Sequence, residues 1–189
     1  IVGILVVAVS CSVETKVVVD SGTYESPKLI VGITIDQMRA DYLHRFSPHF
    51  SDGGFARLVD GGFTMYDHQY GYAPTYTGPG HASIFTGTTP SVNGIVANDW
   101  YVRADGGTVY CASDSTVRGV GVDGIDQEGI IYGSAGKMAP TRLVTSTIGD
   151  ELKLATGLNA KVIGVSLKDR GAILPAGHAA DGAYWFFGK

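Results

Sequence analysis

Two runs of aliphatic and β-branched residues are the most prominent apolar patterns in the chain. The first covers residues 28–35 and ends at Asp36, and the second covers residues 161–167. Short continuous apolar runs of this kind are typical of parallel strands that are buried on both faces. We therefore predict buried parallel strands at both places. A weak alternation of apolar and polar residues over 63–70 predicts a further strand.

Helical patterns lie between these strands. The predicted helices cover residues 38–46, 54–60, 77–86 and 140–155. In the third of them, Pro79 is favoured in the first turn and Thr77 near the N-terminal cap. The last helix is the best defined and is expected to end before Gly157.

A hairpin and a loop complete the pattern. Residues 99–114 predict a hairpin that turns at Asp105, Gly106 and Gly107, and the Gly-rich residues 117–139 predict a loop or insertion. Because strands alternate with helices, the chain is expected to form an α/β fold with a predominantly parallel sheet.

Composition and charge exclude two classes of protein, disordered tails and nucleic-acid binders. Apolar residues make up 44% of the 189 residues and charged residues 17%, a balance typical of a globular chain rather than a disordered tail. The formal net charge of -4 argues against a nucleic-acid binder, which would carry a basic surplus. At roughly 150 residues per domain, the length predicts one domain, or one domain and part of another.

The N-terminus predicts export. Residues 1–9 are apolar or Gly and too few for a bilayer span, which needs about 20, so we interpret residues 1–10 as the truncated h-region of a secretory signal. Cys11 follows in a segment that resembles a bacterial lipobox, although Ala8 stands where Leu is preferred. Lipidation of Cys11, cleavage without lipid and a buried strand remain the alternatives. Residues 11–27 are a predicted linker, and the expected location is periplasmic or anchored to the outer membrane.

The two ends of the chain indicate part of a longer domain, and the cysteines indicate no disulfide framework. The chain begins with Ile1 rather than Met and stops within an aromatic run, so residues 28–189 are expected to be the N-terminal part of a catalytic domain. If Cys11 is lipidated or removed, Cys111 has no disulfide partner here. The sequence contains no CxxC motif or Cys/His zinc cluster.

Two residues are candidates for the reaction itself. Asp36 follows the first predicted strand, and ligands of open α/β sheets collect at the carboxyl ends of strands. It is a candidate metal ligand or proton-transfer group, and equally a candidate N-cap of the next helix. Thr77 is either a helix cap or a hydroxyl held where the helix dipole favours a phosphate. As a nucleophile, Thr77 would need a metal or a base to lower its pKa.

Three further residues are candidates for binding an anion. Lys168 and Arg170 follow the second predicted strand and could converge on phosphoryl oxygens. The alternative is a solvated charged turn in which Asp169 neutralises one of the cations. Asn98, taken alone, is an ordinary turn residue.

Four motifs together give a specific resemblance. They occur in order at residues 35–43, 73–83, 98–101 and 168–178. In this combination they resemble the alkaline phosphatase superfamily, and within it the PafA-type bacterial monoesterases, which are related to nucleotide pyrophosphatase/phosphodiesterases. The resemblance covers about residues 28–189. It implies a sandwich with a mostly parallel central sheet and helices on both faces, incomplete in this chain.

The resemblance also implies roles for the candidate residues. Thr77 corresponds to the nucleophile that is transiently phosphorylated, and with Asp36 it belongs to the metal site. Asn98 corresponds to a donor to a phosphoryl oxygen. Lys168 and Arg170 correspond to cations that bind the remaining oxygens of a small, doubly charged phosphate monoester.

The implied cofactor is zinc, with two ions in a complete site. The remaining Asp and His ligands are expected from later in the complete protein, so this chain alone is expected to be inactive. His81 and His178 lie within the motifs and are expected to be structural, hydrogen-bonded histidines rather than ligands.

Three functions remain open at this point. The first is an exported, metal-dependent phosphomonoesterase, which is attached to the membrane if Cys11 is lipidated. The second is a phosphodiesterase or nucleotide pyrophosphatase of the same superfamily, and Lys168 and Arg170 favour the first over it. The third is a non-catalytic binding protein anchored at the cell surface.

Overall fold

The computed structural model describes residues 27–120 and 136–186. Residues 27–33 and residues 34 onward belong to separate units, and each is described by itself. Residues 27–33 form no helix or strand, and their aliphatic side chains are exposed. The predicted signal segment, Cys11, most of the predicted linker and the middle of the loop at 117–139 lie outside the described residues.

From residue 34 onward, short helices and strands succeed one another along the chain. The helices are α1 (Asp41–Arg45), α2 (Phe55–Gly61), α3 (Thr77–Thr86), α4 (Pro90–Asn93), α5 (Ile148–Ala155) and α6 (Asp169–Ala176), with a 3-10 helix at Ser47–His49. The strands are β1 (Asp99–Val102), β2 (Gly107–Tyr110), β3 (Ile163–Ser166) and β4 (Gly182–Trp185). In the described part, no helix has the length and apolar character needed to cross a membrane.

The strands β3 and β4 form a parallel pair joined by α6. Ile163 lies opposite Gly182 in this pair, and the connection through a helix is the usual way to join parallel strands. Gly164 allows α6 to lie close to β3, since a Cβ atom there would overlap the carbonyl of Ala172. This unit confirms the prediction of a parallel strand within 161–167. The strand is not buried on both faces, however, because Ile163 and Val165 are exposed.

The strands β1 and β2 form an antiparallel hairpin. Asp99 lies opposite Tyr110, and Val102 lies opposite Gly107. The turn includes Gly106 with φ of 65°, a backbone conformation that glycine adopts without a steric penalty. The predicted hairpin is therefore confirmed. The described residues contain these two two-stranded sheets, and the predicted mostly parallel central sheet is not present among them.

Helix α3 has the predicted bounds, and α5 does not. Tyr76, in an extended conformation, is the N-cap of α3, and Gly87 ends the helix in the left-handed region. The helix predicted over 140–155 begins only at Ile148. Thr147 and Asp150 form a capping box there, in which each side chain accepts a hydrogen bond from the backbone N–H of the other residue.

Two strand predictions were wrong. Residues 28–35 and 63–70 form no strand, since neither segment pairs with another strand among the described residues. A strand without neighbours leaves its backbone groups unpaired, whatever the pattern of its side chains. The helices predicted over 38–46 and 54–60 are confirmed in place, although α1 is shorter than expected.

The core joins the hairpin to α3 and α6. Its buried apolar members are Ala82, Ile95, Cys111, Ala112, Leu143, Ile173 and Leu174. Trp100, Tyr110 and Trp185 pack against them. The middle of α3 and the second half of α6 are therefore held by the same cluster that holds the base of the hairpin.

Candidate active site

Thr77 and Asp36 face each other at the start of α3. Thr77 is the first residue of the helix, and its Oγ1 donates a hydrogen bond of 2.9 Å to Oδ2 of Asp36. The N-cap of α3 is Tyr76, so the Thr77 hydroxyl is not used for capping. The Asp36 carboxylate is not a cap either, because α1 begins at Asp41 with Ala40 as its N-cap. Both side chains are left with polar oxygens directed at the same place.

Gly78 brings Asn98 to the start of the same helix. Its backbone N–H donates a hydrogen bond of 2.8 Å to Oδ1 of Asn98. A Cβ atom at Gly78 would lie 3.1 Å from this oxygen and 3.2 Å from Sγ of Cys111, which is crowded for both neighbours. With Oδ1 occupied, the amide nitrogen of Asn98 is the group that remains for a ligand.

Arg170 is held by the end of the hairpin. Its Nη1 donates a hydrogen bond of 3.0 Å to the hydroxyl oxygen of Tyr110, and its guanidinium lies 5.7 Å from the centre of the Tyr110 ring. The Tyr110 hydroxyl donates in turn to Oδ1 of Asp169, at 2.5 Å. Arg170 is thus half-buried and hydrogen-bonded, unlike a residue of a solvated turn.

Lys168 has a different environment. It is the N-cap residue of α6, its side chain is exposed, and its backbone N–H donates to Oγ of Ser166 at 3.3 Å. The structure brings Asp36, Thr77 and Asn98 to one helix start. Arg170 contacts Tyr110 at the end of the hairpin, and the Lys168 side chain is exposed to solvent.

The electrostatics of this region follow from burial and hydrogen bonds. Burial and the hydrogen bond to Asp169 raise the pKa of Tyr110 well above its ordinary value. Burial alone would lower the pKa of Arg170, but the hydrogen bond with Tyr110 and the nearby Tyr110, Cys111 and Asp169 side chains together outweigh burial and raise the pKa. Burial raises the pKa of the Cys111 thiol to about 12. At neutral pH the phenol and the thiol are therefore protonated, and the guanidinium is charged.

The two predicted structural histidines differ. His81 is buried, and its Nδ1 lies 2.8 Å from the carbonyl oxygen of Thr77, which agrees with the prediction. The imidazole of His178 is exposed, and only its backbone N–H contributes, as a donor to Asp150. The prediction for His178 was wrong, because its ring lies in solvent two residues after the end of α6.

A divalent metal fits these residues only in part. The Asp36 carboxylate and the Thr77 hydroxyl place two oxygen ligands side by side, and zinc accepts such ligands. Among residues 27–120 and 136–186, no three His, Cys, Asp or Glu side chains are grouped to hold a metal ion. Asp36 and Thr77 can therefore supply part of a ligand set, and the other ligands must come from elsewhere.

Sequence comparison identifies the family. A sequence profile of the type I phosphodiesterase / nucleotide pyrophosphatase family matches residues 30–166. The chain belongs to this family. The match includes Asp36, Thr77 and Asn98 and ends before Lys168 and Arg170. The family relationship that the four motifs predicted is confirmed.

Several members and relatives of the family are similar to this chain. The alkaline phosphatase PafA of Elizabethkingia meningoseptica is 48% identical over 160 residues, which are 85% of this chain and 28% of that protein. A protein of Myroides odoratus named calcium-transporting ATPase is 45% identical over 184 residues, or 97% of this chain and 32% of that protein. The chain therefore spans less than a third of the length of either relative.

The fold is shared with a solved structure. The crystal structure of wild-type PafA matches with a TM-score of 0.79 and 44% sequence identity, covering 88% of this chain and 30% of that one. This likeness shows an alkaline-phosphatase-like α/β fold.

The sequence does not indicate that Tyr110 contacts Arg170 or that Cys111 packs beside Gly78. Tyr110 is 60 residues from Arg170 along the chain, and it shares no motif with it. The hairpin prediction placed Tyr110 in a strand, but a single strand pattern does not show which distant side chain its hydroxyl contacts. The sequence suggests Asp169 as a partner for a neighbouring cation. In the structure, the Tyr110 hydroxyl lies between the Asp169 carboxylate and the Arg170 guanidinium.

Proposed function

We propose that the complete protein is an exported, metal-dependent phosphate monoester hydrolase that acts through a phosphothreonine at Thr77. The hydrogen bond between Thr77 and Asp36 carries the proposal, because it fixes a hydroxyl at a helix start beside a carboxylate. The first turn of α3 lies at the positive end of the helix dipole, which favours a bound phosphoryl group. The family relationship supports the same chemistry.

The reaction proposed for Thr77 has two transfers. In the first, the Thr77 hydroxyl gives its proton to solvent and Oγ1 attacks phosphorus. A Thr77 O–P bond forms, the bond between phosphorus and the leaving oxygen breaks in line, and the leaving oxygen takes a proton from water. In the second, water attacks the phosphothreonine, and inorganic phosphate and free Thr77 are released. Asp36 accepts the hydrogen bond of the free Thr77 hydroxyl and orients it before the first transfer; this hydrogen bond is broken when Oγ1 is deprotonated and forms again when free Thr77 is released.

Zinc is the proposed cofactor, with Asp36 and Thr77 among its ligands and the others outside this chain. When bound, zinc lowers the pKa of an oxygen ligand and stabilises negative charge on the leaving oxygen. The residues of this chain supply the rest of the proposed chemistry. Asn98 donates its amide N–H to a phosphoryl oxygen, while Gly78 holds its Oδ1 in place.

Lys168 and Arg170 favour a small phosphate monoester as the substrate class. A monoester dianion has one more charged oxygen than a diester, and cations placed at that oxygen bind the monoester better. Export to the periplasm, with attachment through Cys11, remains part of the proposal. It is supported by the apolar residues 1–9 and the lipobox-like segment that follows them.

A phosphodiesterase or nucleotide pyrophosphatase is the second candidate. The description of the matched family favours it, since Asp36 and Thr77 lie within the matched residues and the two cations lie beyond them. A non-catalytic binding protein is the third, and it would lack the remaining metal ligands. The two enzymes are separated by measuring kcat/KM of the complete protein for an aryl phosphate monoester and an aryl phosphate diester. We expect the monoester to be preferred, and preference for the diester would support the second candidate.

A further inference from the structure

The hydroxyl of Tyr110 lies between an acidic and a basic side chain of α6. Oδ1 of Asp169 is 2.5 Å from it, and Nη1 of Arg170 is 3.0 Å from it. An arginine only donates hydrogen bonds, so the phenol oxygen must accept from Arg170 and use its single proton for Asp169. Both hydrogen-bonding roles of the hydroxyl are therefore taken, and its orientation is fixed by its two partners.

The remaining nitrogens of Arg170 differ in access. Its Nε is enclosed and has no hydrogen-bond partner in the described part of the chain. The Tyr110 ring lies beside the guanidinium at 5.7 Å and restricts its rotation. One end of the guanidinium is thus held by protein, and Nη2 is left as the end that can meet a ligand oxygen.

Tyr110 is also linked to the start of α3. Its neighbour Cys111 donates a backbone hydrogen bond of 2.8 Å to the carbonyl of Asn98, and its sulfur lies beside Gly78. Asn98 in turn accepts from Gly78, the residue after Thr77. The base of the hairpin therefore contacts both the helix that carries Thr77 and the side chain that carries the cation.

We propose that Tyr110, anchored by Asp169, is a positioning residue that orients Arg170 and so determines the preference for a dianionic phosphoryl group. This inference rests on the proposed function. Tyr110 itself does not touch the substrate. It acts by keeping the Arg170 guanidinium at one distance and angle from Thr77, which a freely rotating arginine would not maintain.

A purely structural Tyr110 is the alternative. In that case the hydroxyl would stabilise the packing of the hairpin on α6, and its loss would affect every substrate alike. The variant Tyr110→Phe separates the two roles, because it keeps the ring and its contact with Arg170 and removes only the two hydrogen bonds.

The test uses the complete protein with its metal. Loss of a hydrogen bond to a charged group typically lowers kcat/KM by about 10-fold or more. Tyr110→Phe should therefore lower kcat/KM for an aryl monoester by about 10-fold. The inhibition constant of inorganic phosphate should rise by a similar factor, while kcat/KM for the diester should change by about twofold or less. Tyr101→Phe is the matched control. Tyr101 is an exposed tyrosine on the partner strand of the same hairpin and should change neither value.

A double-mutant cycle completes the test. When Arg170 is replaced by Ala, the further change Tyr110→Phe should cost nothing more on the monoester, since the group that Tyr110 orients is gone. Equal losses on monoester and diester, or a full additional loss in the Arg170→Ala background, would overturn the positioning role. If Arg170→Ala removes the monoester preference and Tyr110→Phe keeps it, the positioning role fails and the proposed function stands. If the wild type does not hydrolyse the monoester, the proposed function itself fails.

Discussion

The hydroxyl of Thr77 donates a hydrogen bond of 2.9 Å to the carboxylate of Asp36, although 41 residues separate them in the chain. Neither side chain caps a helix, and neither is needed for the core. A contact of this kind between a hydroxyl and a carboxylate at a helix start is well suited to phosphoryl transfer.

Replacement of Thr77 should remove the main route of hydrolysis. In the complete protein, Thr77→Ala is expected to lower kcat/KM for a phosphate monoester by about a thousandfold or more, because the nucleophilic oxygen is gone. Thr77→Ser keeps the hydroxyl and should retain part of the activity. Steady-state kinetics on both variants, with metal content measured alongside, checks this. Near-normal turnover by Thr77→Ala would show that another group is the nucleophile.

The two glycines in the first turns of α3 should respond oppositely to alanine. At Gly78 a Cβ atom meets Asn98 and Cys111, so Gly78→Ala should lower both the thermal midpoint and the monoester kcat/KM. At Gly80 the nearest atom to a Cβ is 4.0 Å away, so Gly80→Ala should stabilise the helix by about 0.5–1 kcal/mol. Thermal unfolding of both variants is the measurement. A Gly78→Ala variant as active and stable as Gly80→Ala would show that the start of α3 is not closely packed.

Lys168 and Arg170 should determine which ester is preferred. A charge-assisted hydrogen bond contributes about 1.5–3 kcal/mol, so Lys168→Ala and Arg170→Ala should each lower monoester kcat/KM by roughly 10- to 150-fold. The loss for a diester should be much smaller. The two losses need not add, since both cations are proposed to contact the same phosphoryl group. If monoester and diester lose activity equally, the cations serve the fold or the metal site, and the phosphodiesterase interpretation becomes the better one.

Asp150 should make stability depend on pH. Burial would raise the pKa of its carboxyl, but backbone hydrogen bonds from Thr147, Ala179 and His178 outweigh burial and lower it. Since the folded pKa lies below the unfolded value of about 3.9, the stabilisation is present above that pH and is lost as pH falls through the folded pKa. Asp150→Asn has one acceptor oxygen fewer and should destabilise the protein at pH 7 by about 1–3 kcal/mol.

The contribution of Asp150 can be isolated with its neighbour. Glu151→Gln removes the same charge from an exposed position on α5 and is the matched control. Thermal midpoints between pH 7 and pH 3 should show the Asp150→Asn deficit shrinking below about pH 4. A deficit that stays constant across this range, or one equal to that of Glu151→Gln, would contradict the assignment.

Local features were predictable where the local sequence alone decides the structure. Helix α3 has its predicted bounds because Pro79 lies in its first turn and Gly87 ends it. The hairpin was predictable from its glycine turn. The late start of α5 was signalled by Thr147 and Asp150, whose spacing is that of a capping box, but the apolar pattern before them favoured an earlier start.

Long-range relationships were not predictable in the same way. The apolar run at 28–35 predicts a strand, yet strand formation depends on partners that the run itself does not specify. The motifs predict the roles of Asp36 and Thr77, and the structure gives the distance between the Thr77 hydroxyl and the Asp36 carboxylate. The link from Tyr110 to Arg170 spans 60 residues and depends on how the hairpin packs against α6, so no pattern in the sequence indicates it.

The covalent phosphate proposed on Thr77 can be detected directly. The most direct measurement is acid quenching of the complete, metal-loaded protein during turnover of a phosphate monoester, followed by mass spectrometry of its peptides. We predict one phosphate, located on Thr77, that is absent from Thr77→Ala treated in the same way. Phosphate on a different residue, or turnover with no phosphorylated peptide at any quench time, would contradict the account.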